Sequence, residues 1–573
     1  MSTFDSTLDP NVDAAVADAT SAAPSIVGVL TTSDHKVIGR MFVGASVLGL
    51  LIVGALGALL GFERIDGDGT VLADNALAQL FAGYRVGLVE AALLPLLLGV
   101  CVLAVPLQLG ARSLAFPRAA AAGFWAWLGG IVLVIVALAN NGGPSGGQPD
   151  MVGLYLAGNA LALIGLTAVA ASVATSVLTT RAPGMRMKRV PLFAWGALVT
   201  SLGLVLVLPV AVGVHVYLYV DYQYTRDAFG GANGILDWTF YLLTGPVLPL
   251  FALPAVGFVA ELIPVVLKKR LPMRFVALAG LALVGVAALA GVTQQDVINV
   301  PWRGEGLSFE HVRAKIGDVI TFGVFVLLPL LGVVAVLGIG AFAAKPEKRG
   351  AKVAKPNLVA PFGLAFVGVQ FILLGIAASA LNSIDDLGLQ GTVFEEGATV
   401  ALAYGAVAAG LGAVAYWIPK LTGRTLPTKA VAGLAPLALG AAALGSIPYF
   451  VAGFADQPGF AAVYSNDGPG ELLNILAAAG HALMFLVALA FAGLVIPALL
   501  GLTGRSGTAD AAGDNPWEAH TLEWGTPSPV PADNYDVTPT VMSPEPVLDL
   551  KAAPDFATAG GPGLGGAQKG EAS

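Results

Sequence analysis

Histidine is the side chain best suited to hold a transition metal or to move a proton near neutral pH. This chain has five: His35, His215, His311, His481 and His520. No two stand close enough in sequence to share one helix turn as a ligand pair. The single cysteine, Cys101, excludes a disulfide framework and a cysteine-held metal cluster. Arg85 and Glu90 fall in an apolar stretch, where ionisable residues are functional candidates by default. Five residues apart on a helix is about 140° around the axis, so the two do not face each other, and Arg85 could snorkel to the outer surface. Asp385, Asp386, Glu395 and Glu396 gather before another apolar stretch. Such carboxylates suit a hard cation such as Mg or Mn, although an acidic loop is equally an ordinary solvated surface.

Other polar positions read as structural. Glu261 precedes Leu262-Ile263-Pro264 and is expected to be solvated or paired with a neighbouring loop. His215 stands before Tyr217, Tyr219, Tyr222 and Tyr224, the pattern of an interfacial aromatic belt. His481 follows three alanines and a glycine and reads as a buried, hydrogen-bonded histidine, with ligation as the alternative. Residues 140–147 form a glycine-rich turn, but no Lys-Ser/Thr pair opens a helix after it, so it is not a phosphate loop. There is no nucleophile motif and no dinucleotide fingerprint.

The elements that must position these groups are membrane helices. Of 573 residues, 56% are hydrophobic and only 12% are charged, with a mean hydropathy of +0.80. Soluble domains carry about 25% charged residues. An ordinary soluble enzyme, a disordered chain and a nucleic-acid binder are therefore excluded. Stretches long enough to span a bilayer lie near 38–62, 84–105, 119–139, 151–179, 191–219, 238–267, 275–292, 318–344, 357–381, 398–418, 430–453 and 471–501. The loops after even-numbered stretches hold eighteen Lys and Arg, and those after odd-numbered ones hold five. The positive-inside rule then predicts both termini in the cytoplasm. Three regions follow: an acidic tail over 1–34, a twelve-helix membrane domain over 35–501, and a Pro- and Gly-rich acidic tail over 502–573. Neither tail is expected to have a packed core.

Four segments go further. Thr31-Thr32-Ser33-Asp34-His35-Lys36-Val37-Ile38-Gly39 precedes the first stretch, and Val105-Pro106-Leu107-Gln108-Leu109-Gly110-Ala111-Arg112 closes the second. Tyr416-Trp417-Ile418-Pro419-Lys420-Leu421-Thr422-Gly423-Arg424 closes the tenth. The tail holds Asn515-Pro516-Trp517-Glu518-Ala519-His520-Thr521-Leu522-Glu523-Trp524, then Pro527-Ser528-Pro529 and Asn534-Tyr535. In order and spacing these resemble the cytoplasmic-side motifs of subunit I of the haem–copper oxidases, the cytochrome c oxidase type. The resemblance covers roughly 30–550 and implies an all-α, twelve-helix bundle in a bacterial cytoplasmic membrane. It further implies aerobic electron transport, oxygen reduction with proton pumping, haem and copper cofactors, and neighbouring subunits of the subunit II and III type.

That family needs six intramembrane histidines, from helices 2, 6, 7 and 10, and this chain has five in all. Only His215 and His481 fall inside stretches, the fifth and the twelfth. By the resemblance, the ligand positions fall on Tyr84, Gly245, Gln294, Gln295, Gly397 and Thr399. The proton-path positions fall on Ser113, Val247 and Val333, and the tyrosine of the sixth helix on Pro249. Gly and Val cannot bind a metal or carry a proton. The expectation is therefore a subunit I-like chain without haem or copper and without oxidase activity of its own, a membrane scaffold beside other oxidase-like subunits and lipid. The alternatives are a working terminal oxidase, and a transporter or channel that reuses the fold. Small residues at Gly245, Gly397 and Thr399 leave open whether the former pockets are empty, collapsed or reused.

Overall fold

The computed structural model describes residues 28, 30–67, 72–144, 146–224, 226, 228, 230–243, 245–294, 316–345, 355–464, 469–501, 512–535 and 537–552. Among them are twelve helical spans long and apolar enough to cross a membrane. They are α1 (His35–Glu63), α2 (Ala76–Gln108), α3 (Pro117–Ala139), α4 (Pro149–Thr179), α5 (Leu192–Gln223), α6 (Gly234–Leu267), α7 (Arg274–Val292), α8 (Ile316–Ala343), α9 (Phe362–Asn382), α10 (Val393–Thr422), α11 (Thr428–Gly453) and α12 (Gly470–Leu499). In hydrocarbon every backbone polar group must be satisfied within the segment, so apolar stretches of this length become helices. The chain is an integral membrane protein with an all-α, twelve-helix fold.

In α2 and α6 a departure from regular helix is explained by proline. The sixth was expected as one unbroken stretch. Instead a 3-10 turn, Tyr241–Leu243, precedes a fresh helix from Leu248 to Leu267. Gly245, Pro246 and Pro249 lie at this break, and a proline lacks the N–H and disfavours helix in the residue before it. In α2 a π-helical segment runs over Gly87–Leu93, and the N–H of Leu94 reaches back to the carbonyl of Val89. The next such bond would need an N–H at Pro95. The carbonyl of Glu90 is satisfied instead by the indole Nε1–H of Trp127 on α3, at 2.8 Å.

The apolar windows of α2 and α10 are wholly buried and that of α6 almost so, whereas only a third of the α8 window is. These three helices form the centre, and the others wrap them. Lipid tails are as apolar as leucine, so helices associate by close van der Waals fit rather than by a hydrophobic drive. Gly368 on α9 and Gly405 on α10 illustrate it. A Cβ on Gly405 would lie 2.6 Å from the carbonyl oxygen of Gly368, and the reverse contact would be 2.5 Å.

The C-terminal tail contradicts the expectation of no packed core. Residues 515–535 and 537–548 fold across one end of the bundle, burying Trp517, Leu522, Trp524, Tyr535 and Val541. The indole of Trp517 donates to the Tyr416 carbonyl at 2.9 Å. Lys36 Nζ donates to the Ala532 carbonyl at 2.7 Å and to Asn534 Oδ1 at 3.0 Å. Asn534 Nδ2 donates to the carbonyls of Ala111 and Arg112. Lys420 Nζ donates to the carbonyls of Thr526 and Asp514 at 2.7 and 2.9 Å. The four sequence motifs thus converge on one surface. Polar, proline-rich composition misleads here because the helix ends supply the apolar wall and the free carbonyls. The expectation for the N-terminal tail falls largely on residues 1–27, which lie outside the described residues.

Gly405→Val is expected to lower stability by about 1–3 kcal/mol, the usual cost of overpacking. A thermal unfolding midpoint in detergent checks this. Gly433→Ala serves as control, since a methyl added at Gly433 would meet nothing within 4 Å.

Candidate functional site

The site grows from the start of α10. Thr392 caps this helix, its side chain accepting from the N–H of Phe394 at 3.2 Å, and Glu395 and Glu396 follow in the first turn. Carboxylates are favoured there by the helix dipole. Each takes an arginine. Arg64, just past the end of α1, makes a two-pronged pair with Glu396, Nη1 to Oε2 and Nη2 to Oε1, both 2.8 Å. Arg85 on α2 reaches Glu395 at 3.1 Å and lies 4.0 Å over the Phe460 ring. The N–H of Phe460 also donates to Glu396. Arg64 further donates to the Ala461 carbonyl at 2.9 Å and to the Tyr449 hydroxyl at 3.4 Å. Burial works against charge on Arg64, but Glu396 and Tyr449 beside it hold its pKa above the ordinary guanidinium value.

Deeper in the bundle a hydrogen-bonded chain crosses three helices. The Tyr84 hydroxyl on α2 lies 3.2 Å from that of Tyr404 on α10, which lies 2.7 Å from Nδ1 of His481 on α12. The rings of Tyr84, Tyr404 and Tyr449 each sit 5.8 Å from the His481 ring. Gly57 and Gly61, one turn apart on α1, leave the room: added Cβ atoms would meet the Tyr84 ring at 2.7 Å and the His481 ring at 3.3 Å. What remains is a cavity of about 20 Å³ among Phe81, Tyr84, Arg85, Leu88, Glu396, Thr399, Val400 and Phe460. That is room for about one water.

Several expectations are corrected by this arrangement. The four acids are not brought together as one group. Glu395 and Glu396 are engaged by arginines, while Asp385 and Asp386 sit exposed in the 3-10 turn Asp385–Leu387. Among the described residues no group of three or more His, Cys, Asp or Glu could hold a metal. Arg85 does not snorkel but sits in a largely buried ion pair. Glu261 is buried rather than solvated, and accepts from the N–H of Phe193 at 3.2 Å. His215 is buried and bonded to the Ala211 carbonyl, while Tyr217, Tyr219 and Tyr224 are exposed, consistent with the belt. Glu90 is buried in the π segment, away from Arg85's partner, and its Oε2 meets no donor.

The remaining positions do not converge on this network. A Cβ on Gly245 would touch the Ser379 side chain, and Val247 and Val333 are fully buried. Gln294 ends α7 in a left-handed conformation, and Gln295 and His311 lie outside the described residues. Ser113 is exposed in the turn after α2. Gly397 faces the Phe450 ring, which would meet a Cβ at 3.1 Å.

The sequence matches the family model for cytochrome c and quinol oxidase polypeptide I over residues 37–494. The chain belongs to this family. A putative cytochrome c oxidase subunit 1-beta of Streptomyces coelicolor is 26% identical over 559 residues, with 92% of this chain and 91% of that protein covered. The cytochrome c oxidase subunit 1 of Corynebacterium diphtheriae is 25% identical over 560 residues, covering 91% of each. A solved heme-copper terminal oxidase dimer shares the fold, with a TM-score of 0.61 at 14% identity over 90% of this chain and 89% of that one.

At three positions that the resemblance pairs with haem or copper ligands, Tyr84 is bonded to Tyr404, Thr399 lines a cavity of about 20 Å³, and Phe450 covers Gly397. A cofactor pocket runs to several hundred Å³. His481, the histidine nearest this cavity's walls, has Nδ1 engaged by Tyr404. Arg64, Tyr404, Tyr449 and Phe460 were not singled out from the sequence. The one available signal was charge: an arginine closing one span and a Glu-Glu pair opening another.

Arg64→Ala leaves the Glu396 carboxylate buried without its cation, at an expected cost of about 3–5 kcal/mol. Arg64→Met combined with Glu396→Leu is expected to recover most of that. A double-mutant cycle on unfolding midpoints in detergent measures the difference.

Proposed function

We propose that this member of the oxidase polypeptide I family is a cofactor-free subunit, with both termini in the cytoplasm, that acts as a membrane scaffold within a respiratory oxidase-like complex. The observation that carries this reading is the occupied pocket. Where the family resemblance places two of the ligand histidines, this chain has Tyr84 and Thr399, and aromatic rings and two arginine–carboxylate pairs take up the space. The histidine count supports it independently of any alignment, since five residues cannot fill six ligand positions. The converged tail-bearing surface supports the scaffold role, because it keeps the family's motifs at the helix ends while the ligand positions differ.

Family membership favours a second reading, a working terminal oxidase. Its relatives carry that name, and membership by itself implies membrane-embedded complexes with other subunits.

Expression in a haem- and copper-replete host separates the two. The scaffold reading expects no Soret absorbance and no copper at stoichiometric levels in the purified chain, together with co-purification of a subunit II or III homologue. One haem per chain, assigned to this polypeptide, would overturn it.

A further inference from the structure

The tail carries a carboxyl that the scaffold reading does not use. Glu523 lies in the 3-10 turn Leu522–Gly525 and is completely enclosed. Its Oε1 accepts three hydrogen bonds: from Thr521 Oγ1 at 2.9 Å, Trp417 Nε1 at 3.1 Å and Gln108 Nε2 at 3.3 Å. Its Oε2 meets no donor. Gln108, at the end of α2 and equally enclosed, has the matching deficit, because its amide oxygen Oε1 also meets no donor. Two buried acceptors without donors therefore sit on two groups already joined by one hydrogen bond.

We propose that Glu523 docks as a neutral carboxylic acid paired with the Gln108 amide, so that attachment of the tail takes up one proton from solvent. A single proton on Oε2 supplies both missing bonds. Oε2–H donates to Gln108 Oε1, while Gln108 Nε2–H continues to donate to Oε1, which closes a two-bond ring between acid and amide. An ionised Glu523 would leave both acceptors unmet and bury a charge, each a cost that folding avoids.

The surroundings agree. The titratable groups facing Glu523 are Glu261 on α6, Tyr416 and Lys420 on α10, and Tyr535 on the tail itself. Glu261 adds repulsion to a second ionised acid. Lys420 is the cation of the set, and its ammonium is directed at the carbonyls of Asp514 and Thr526. The Tyr535 hydroxyl donates to the Leu107 carbonyl. Burial pushes the Glu523 carboxyl above the usual range, while its three donors pull the other way. On a released tail the carboxyl returns to about 4.3. The docked state thus binds the extra proton. Docking is strongest below the free value and weakens as pH rises through the docked value, by up to about tenfold per pH unit.

The test uses the full chain in nanodiscs. In infrared difference spectra, wild type minus Glu523→Gln should contain a carboxylic-acid carbonyl band that disappears as pH rises. Over the same interval, cleavage of the wild-type tail by added protease should rise by up to about tenfold per unit. Glu523→Gln, whose amide pairs with Gln108 without a proton, should show no such rise. A difference spectrum holding only carboxylate bands, or a variant that follows the wild-type pH profile, overturns the proposal. If Glu523→Gln does not fold, Gln108→Leu decides: with its amide partner gone, the acid carbonyl band should move to higher wavenumber, and an unchanged band position overturns the proposal. None of these readouts depends on whether the chain binds haem.

Discussion

A two-pronged ion pair between Arg64 and Glu396 ties the end of the first membrane helix to the start of the tenth. Both side chains are almost wholly removed from solvent. A lone charge in such a place is far costlier than a paired one, so each residue requires the other. This requirement organises its neighbours. Phe460 and Ala461, in the loop between α11 and α12, direct backbone groups at the pair. The Tyr449 hydroxyl accepts from the Arg64 guanidinium, and the Tyr464 hydroxyl donates to the Arg64 carbonyl. Glu396 and Tyr449 in turn flank His481 and the tyrosine chain. Arg64, Glu396, Tyr449, Tyr464 and the backbone of Phe460 and Ala461 thus form one connected set.

The bundle stays filled although glycines stand at Gly245 and Gly397, two positions that the resemblance pairs with metal ligands. Space left by small residues on one helix is taken by large rings from another: Tyr84 over Gly57, Phe450 over Gly397. Close packing is conserved as a sum over helices rather than residue by residue. A reading that counts side-chain volume at single positions leaves the space beside Thr399 open, whereas side chains from α2, α10 and the loop before α12 together narrow it to about 20 Å³.

The twelve spans were legible because hydropathy is local, and each span declares itself within about twenty residues. The irregular turns of α2 and α6 were legible in principle from Pro95, Pro246 and Pro249, but apolar length alone hides them. The ion pairs were not legible, since Arg64 and Glu396 are 332 residues apart and only the folded bundle brings them together. Arg85 and Glu395 fail for the same reason. The acidic cluster read as one group because its members are neighbours in sequence, yet a helix start turns Glu395 and Glu396 away from the turn that holds Asp385 and Asp386. The packed tail was hidden by composition, because its wall and its hydrogen-bond partners belong to segments hundreds of residues away.

The anchor of that tail sets an order of events. Lys36 stands at the first turn of the first span, and its ammonium is completed by Asn534, 498 residues later. No ribosome can have supplied that partner until all twelve spans have been synthesised. The beginning of the chain therefore waits, with a charged group unfinished at the membrane surface, for nearly the whole of translation. Its closure marks a chain that has reached Asn534, and a product truncated before that residue, however well inserted, cannot acquire it.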